Sequence, residues 1–185
     1  MQERHYRAHI EGRETYGIYT VTSSDTTKLI VFDIDTMDPA VRIRIFEALR
    51  KLRVQEHSLL FESSGRKGFH IWLPLADWYP ANLAYFAARA VLQVAGVTVE
   101  AYPKQPTVGD GYGNLIKLPL GVHRVSGEKS RLFGRWVDVR PLENDELARL
   151  AEYYTEAPRP VYEPVDPTTR SGPTTSTCRP RAPVR

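Results

Sequence analysis

Three short segments carry the residues able to do chemistry: Val31-Phe32-Asp33-Ile34-Asp35, Ser64-Gly65-Arg66-Lys67-Gly68-Phe69-His70 and Val99-Glu100-Ala101-Tyr102-Pro103-Lys104. Asp33 and Asp35 stand two apart at the end of an apolar run, so on a strand both carboxylates face one side. Such a pair repels itself unless cations intervene, and two divalent ions roughly 3.5 to 4 Å apart are the usual device for in-line displacement at phosphorus. Read alone, the pair also suits capping of the next helix. Ser64 to His70 adds a hydroxyl, amides freed by Gly65 and Gly68, the cations Arg66 and Lys67, and an imidazole, groups suited to a triphosphate. A surface hairpin accounts for the glycines but not for serine, lysine and histidine together. Glu100, after Val97 and Val99, reads as a third carboxylate on a central strand, with a solvent-facing edge position as the alternative. Lys117 lies inside the apolar stretch 115–120 and His123 just past it. A cation there could offset phosphate charge, although a lysine on the polar face of a half-buried strand is also ordinary.

A sheet has to hold these residues. The run 28–34 predicts a buried strand. Asp38 and Pro39 then open a helix in which Val41, Ile45, Leu49 and Leu52 recur at helical spacing. Strands are expected at 57–62 and 69–75, joined by a hairpin turn at 63–68 with its glycines at positive φ. Pro80 opens a second helix that Gly96 closes, strands follow at 97–102 and 115–120, and Asn144 caps a last helix with Leu147, Leu150 and Tyr154 on one face. The order β-α-β-β-α-β predicts an α+β fold, an RRM-like split βαβ sheet with helices packed on one face.

With 185 residues, 42% of them hydrophobic, the chain can build one core. Its last 28 residues hold seven of the fourteen prolines and five arginines against Glu163 and Asp166. That composition predicts a disordered Pro/Thr/Arg-rich tail over 158–185 behind a single domain over 1–157. Without the tail, 20 basic and 20 acidic residues cancel, so overall charge says little about nucleic acid. Cys178, the one cysteine, excludes a disulfide framework or a cysteine zinc site within the chain. The N-terminus shows no apolar leader, and no apolar run approaches the roughly 18 residues that span a bilayer. A cytoplasmic setting without membrane attachment is expected.

In combination the segments resemble the catalytic core of the archaeo-eukaryotic primase superfamily, the primase-polymerases, and within it the primase domains of conflict-system, CRISPR-associated and mobile-element proteins. The family's Asp-x-Asp matches Asp33 and Asp35; its Ser-Gly-x-x-Gly-x-His matches Ser64, Gly65, Gly68 and His70; its third acidic motif falls on Glu100. The Pro-Lys-Gln after Tyr102, the Leu-Pro-Leu-Gly-x-His ending at His123, and the early His9-Ile10-Glu11-Gly12 and Gly17-Ile18-Tyr19 resemble the conflict-system branch. The likeness covers about residues 9–135. It implies that Asp33, Asp35 and Glu100 hold two divalent cations, Mg²⁺ or Mn²⁺. It further implies that Ser64, Gly65, Lys67 and His70 grip the phosphates of an NTP or dNTP, with Arg66, Lys117 and His123 assisting. The implied partners are a DNA template and primer, or RNA in their place, and a helicase or other replication or defence proteins.

The chain also departs from the family. Glutamate stands where many relatives carry the third aspartate, and no zinc element, helicase motif or C-terminal helical domain accompanies the core, so primer extension is expected before unaided priming. The chain then reads as a short relative or a piece of a larger protein. Two other classes fit part of the pattern. A non-catalytic single-stranded nucleic-acid-binding module of the same fold would bind in a salt-sensitive, metal-independent way. A metal-dependent nuclease or replication initiator could use Asp-x-Asp, but such sites often add a second histidine or a tyrosine nucleophile.

Overall fold

The computed structural model of the chain describes residues 1–156 apart from Asp110, so the expected tail, with Cys178, lies outside the described residues. Helix α1 (Glu3–Ile10) and strand β1 (Gly17–Tyr19) come first, two elements that hydrophobic patterning does not announce. They are followed by β2 (Thr26–Ile34), α2 (Pro39–Lys51), β3 (Leu60–Ser63), β4 (Phe69–Pro80), α3 (Ala81–Ala95), β5 (Glu100–Tyr102), β6 (Leu115–Lys117), β7 (Arg131–Phe133) and α4 (Asn144–Glu156). The main sheet has the order β5-β2-β4-β3-β7, with every neighbouring pair antiparallel. Its first four strands have the split βαβ order expected from the chain. Strand β7 extends the far edge, and β1 pairs with β6 in a separate ribbon.

The period-2 alternation of the strands sorts residues between two faces. Ile30, Phe32 and Ile34 of β2 join Ile71, Leu73 and Leu75 of β4 on one of them. There they pack against Ile45 and Leu49 of α2, Ala84, Ala88 and Val91 of α3, and Leu147 and Leu150 of α4, which places these three helices on one side as expected, with no residue of α1 in this cluster. The small alanines of α3 let its backbone lie close to its neighbours. On the opposite face Val31, Leu60, Trp72 and Tyr102 cluster with Ile116 of the ribbon.

The helix ends follow local chemistry. Asp38 Oδ1 accepts from the Ala40 N–H at 2.9 Å with Pro39 in the first turn, and Gly96 ends α3 at φ 61°. Asn144 is the first residue of α4 rather than its cap; the Glu146 carboxylate accepts from the Glu143 N–H at 3.0 Å and closes that end. The expected strand at 57–62 begins only at Leu60, because the Ser58 and Leu59 N–H groups bond back to the Gln55 and Glu56 carbonyls in a 3₁₀ turn. The strand at 97–102 narrows to β5. The one at 115–120 stops at Lys117, where Pro119 offers no N–H and Leu120 takes φ 68°. Buried His9 pins α1 to this segment: its Nδ1 accepts from the Tyr16 N–H at 3.1 Å while its Nε2–H donates to the Leu118 carbonyl at 2.9 Å. Among the described residues no helix is long and apolar enough to cross a membrane.

The sorting of faces is testable by urea denaturation. Phe32→Ala empties a site with 0% exposure and should lower the unfolding free energy by about 3 to 5 kcal/mol. Asp33→Ala, one residue on and facing the other way, should leave the protein folded.

Candidate active site

Asp33 stands directly opposite two residues, His70 on β4 and Glu100 on β5, and His70 in turn stands opposite Glu62 on β3. One row of side chains, Glu100, Asp33, His70 and Glu62, therefore crosses four strands on the face opposite α2, α3 and α4. Asp35 follows two residues after Asp33, just past the end of β2. The expectation of a central strand for Glu100 is corrected: β4 already occupies one side of β2, so the chain leaving α3 returns to the free side and β5 becomes the edge. Glu100 is accordingly exposed.

Each carboxylate of the expected trio faces a cation, which offsets their mutual repulsion. Asp33 Oδ1 lies 3.4 Å from His70 Nε2, Asp35 Oδ1 3.9 Å from Lys67 Nζ, and Glu100 Oε2 2.7 Å from Lys104 Nζ. The Ser64–Gly68 turn closes on itself: the Ser64 N–H donates to the Gly68 carbonyl at 2.9 Å, and the Gly68 N–H donates to Ser64 Oγ at 3.1 Å. Gly65 has the expected positive φ, 83°. Gly68 does not; it is needed for close approach, since a Cβ there would sit 3.0 Å from the Ile34 carbonyl oxygen at the end of β2. Lys117 Nζ donates to the Ser64 carbonyl at 3.4 Å. The Ser126 hydroxyl donates to the Gly65 carbonyl at 2.7 Å and lies 3.1 Å from His123 Nδ1, so the segment after β6 is packed onto the same turn.

Two cavities flank the carboxylates. One, of about 510 Å³, is lined by Ser64, Gly68, His70, Tyr102, Lys117 and His123. The other, of about 680 Å³, is lined by Thr36, Asp38, Val41, Arg89, Thr98 and Lys104. Asp33, Asp35 and Glu100 line both. Gly65, Arg66 and Lys67 line neither; Gly65 is buried in the turn, Arg66 is exposed, and Lys67 reaches the site only through Asp35. Three carboxylates on one face form a hard oxygen donor set of the kind Mg²⁺ and Mn²⁺ take. With each turned toward its cation, no three His, Cys, Asp or Glu side chains among the described residues converge into a ready-made ion site.

Glu62 is a member of the row that residue types alone do not reveal. It has 0% exposure, and its Oε2 lies 2.8 Å from His70 Nδ1 and accepts from Trp72 Nε1–H at 3.0 Å. The hairpin carried the signal: with Ser63 paired to Phe69, Glu62 has to oppose His70. Burial favours a neutral Glu62, but the His70 bond, the nearby Ser130 hydroxyl, the His70 charge and the Trp72 N–H outweigh it and hold the carboxyl below its ordinary pKa. Burial likewise pushes His70 down; hydrogen bonds to Asp33 and Glu62, with the charges of both, outweigh that and raise it to about 9. A raised folded-state pKa stabilises the fold fully below the unfolded value of 6.5, and that stabilisation is lost as pH rises through the folded value. In EDTA-treated protein, the stability advantage of wild type over His70→Gln, read from urea melts, should therefore shrink between pH 6.5 and about 9.

Over residues 1–155 the chain matches the model of the family described as the archaeo-eukaryotic primase domain of the TOTE conflict system. Its structure is similar to the AEP domain of the primase-polymerase (PrimPol) of cyanophage S-2L, with a TM-score of 0.56 and 13% identity over 82% of this chain and 77% of that one. At that identity the likeness is one of fold, and it agrees with the α+β architecture above. Comparison with curated proteins finds no match. The family match extends over most of the sequence and includes all three chemistry-bearing segments, so the chain belongs to the archaeo-eukaryotic primase domain family of TOTE conflict systems.

Proposed function

We propose that the chain is a metal-dependent nucleotidyltransferase of the DNA primase/polymerase type, adding NTP or dNTP units to a nucleic-acid 3′-hydroxyl with release of pyrophosphate. Membership of the family supports a primase- or polymerase-type enzyme at the level of the superfamily. The observation that carries the finer reading is that Asp33, Asp35 and Glu100 are the shared wall of two cavities. In-line displacement needs the attacking and leaving oxygens on opposite sides of phosphorus, and therefore two approaches to one set of carboxylates.

On this reading the triphosphate lies in the cavity with His70, Lys117 and His123, the Ser64–Gly68 turn forms its wall, and Arg66 and Lys67 stand near its rim. Ser64 Oγ already accepts from Gly68, which leaves its O–H free to donate to a phosphate oxygen. His70 and Lys117 supply positive charge where the leaving group gains negative charge. The 3′ end of the strand occupies the other cavity, with Arg89 and Lys104 beside its phosphates. Asp33, Asp35 and Glu100 would hold two divalent cations, Mg²⁺ or Mn²⁺. When bound, such ions activate the 3′-hydroxyl and neutralise charge on the departing pyrophosphate. The chain's own contribution is to hold two substrates in line, which lowers the entropic part of the barrier. A cytoplasmic setting, a DNA or RNA template and primer, and helicase or other replication or defence proteins as partners belong to the same proposal.

The test is incorporation of labelled dNTPs and NTPs with Mg²⁺ or Mn²⁺, on a primed template and on bare single strands. Template-dependent product should form with wild type and be absent from Asp33→Ala and Asp35→Ala, both folded. No incorporation under either metal, with salt-sensitive strand binding retained, would replace the proposal with a non-catalytic binding module, and shortening of the strand would replace it with a nuclease. Arg89→Ala should raise the KM for primer-template, leave the nucleotide KM unchanged, and reduce the salt slope of strand binding by about 0.7.

A further inference from the structure

Glu62 is a fully buried carboxylate in a chain where an apolar side chain of similar volume would fill the same space. Ion pairs buried this deeply add little net stability over apolar replacements, because desolvation consumes most of the attraction. Stability is therefore a poor reason for the charge, and the geometry supplies a better one. His70 Nδ1 at 2.8 Å and Trp72 Nε1 at 3.0 Å both converge on Oε2 of Glu62. The bonded oxygen thus faces the sheet row, and Trp72 fixes it there. Trp72 also stands edge-on to the His70 ring, with centroids 5.8 Å apart and planes at 80°. The imidazole is thus packed against the Trp72 ring and bonded at one nitrogen by Glu62. Rotating it would strand a buried carboxylate. Its remaining nitrogen, Nε2, is left facing Asp33 and the smaller cavity.

We infer that Glu62 is a positioning residue for nucleotide binding, clamping His70 from the far side so that the Nε2 edge is presented to the phosphates in the cavity it shares with Lys117. The inference rests on the reading of that cavity as the triphosphate site. Glu62 touches neither substrate nor the reacting atoms and acts only through His70. Carboxylates behind metal-bound or catalytic histidines do the same work, fixing tautomer and ring orientation.

The test is a double-mutant cycle read by calorimetric binding of α,β-methylene-dATP with Mg²⁺ to the full chain. Glu62→Leu removes the acceptor and should weaken binding at least about tenfold. Glu62→Gln, whose amide oxygen still accepts from Nδ1–H, should fall between Leu and wild type. In a His70→Ala background neither substitution should weaken binding further, and single-stranded DNA affinity should stay unchanged throughout. If Glu62→Leu does not fold, the Gln variant carries the same cycle. Undiminished binding by the Glu62 variants, or an equal loss with and without His70, would overturn the inference while leaving the proposed function standing. Failure of wild type to bind the analogue would overturn both. A cycle that holds in a protein unable to extend a primer would support the clamp and remove the polymerase reading alone.

Discussion

The register of β2 against both of its neighbours is the constraint on which the rest of the molecule depends. Asp33 faces His70 on one side and Glu100 on the other, and through His70 the row continues to Glu62. Because side chains alternate with period 2, a slip of one residue in either pairing would turn this row into the helix layer and bring Ile34 or Phe32 out to solvent. The apolar face prevents the slip. Phe32, Ile34, Ile71 and Leu73 are held against α2, α3 and α4, so hydrophobic burial on one side of the sheet fixes the charge pattern on the other.

That charge pattern has its own internal logic. Two adjacent carboxylates, Glu100 and Asp33, are followed by a cationic imidazole and a buried carboxylate, with Lys104 at one end and Lys67 reaching Asp35. The Glu100 end of the row is exposed; the His70 and Glu62 end is buried. Behind it, a second row of Tyr102, Val31, Trp72 and Leu60 forms an apolar floor that Ile116 of the β1–β6 ribbon covers. The ribbon is secured by His9 between Tyr16 and Leu118, and it delivers Lys117 to the turn at Ser64. Elements remote from the carboxylates thus set the position of a cation within reach of them.

Much of this was legible in the sequence because it depends on local signals. The apolar run before Asp33, the Asp38-Pro39 helix start, the glycines at 65 and 96, and the β-α-β-β-α-β order are properties of short windows, and each has its counterpart in the fold. What was not legible depends on pairing between distant segments. Nothing near Glu100 states that its strand is an edge; that follows from β4 having taken the other side of β2. Strands β1 and β7 are three residues each, too short for alternation to register, and β1 finds its partner β6, part of the strand expected at 115–120, almost a hundred residues away. Glu62 lay between the two kinds of signal. It looked like the polar end of a strand, yet the hairpin register alone sets it against His70.

The most direct test of the central claim, that one carboxylate row serves two cavities with different occupants, is a crystal structure with Mn²⁺ and α,β-methylene-dATP, using anomalous scattering to locate the ions. The account predicts manganese peaks bounded by Asp33, Asp35 and Glu100, with the triphosphate beside His70 and Lys117 and the Arg89 cavity left open. A triphosphate lodged against Arg89, or manganese bound away from these carboxylates, would contradict it.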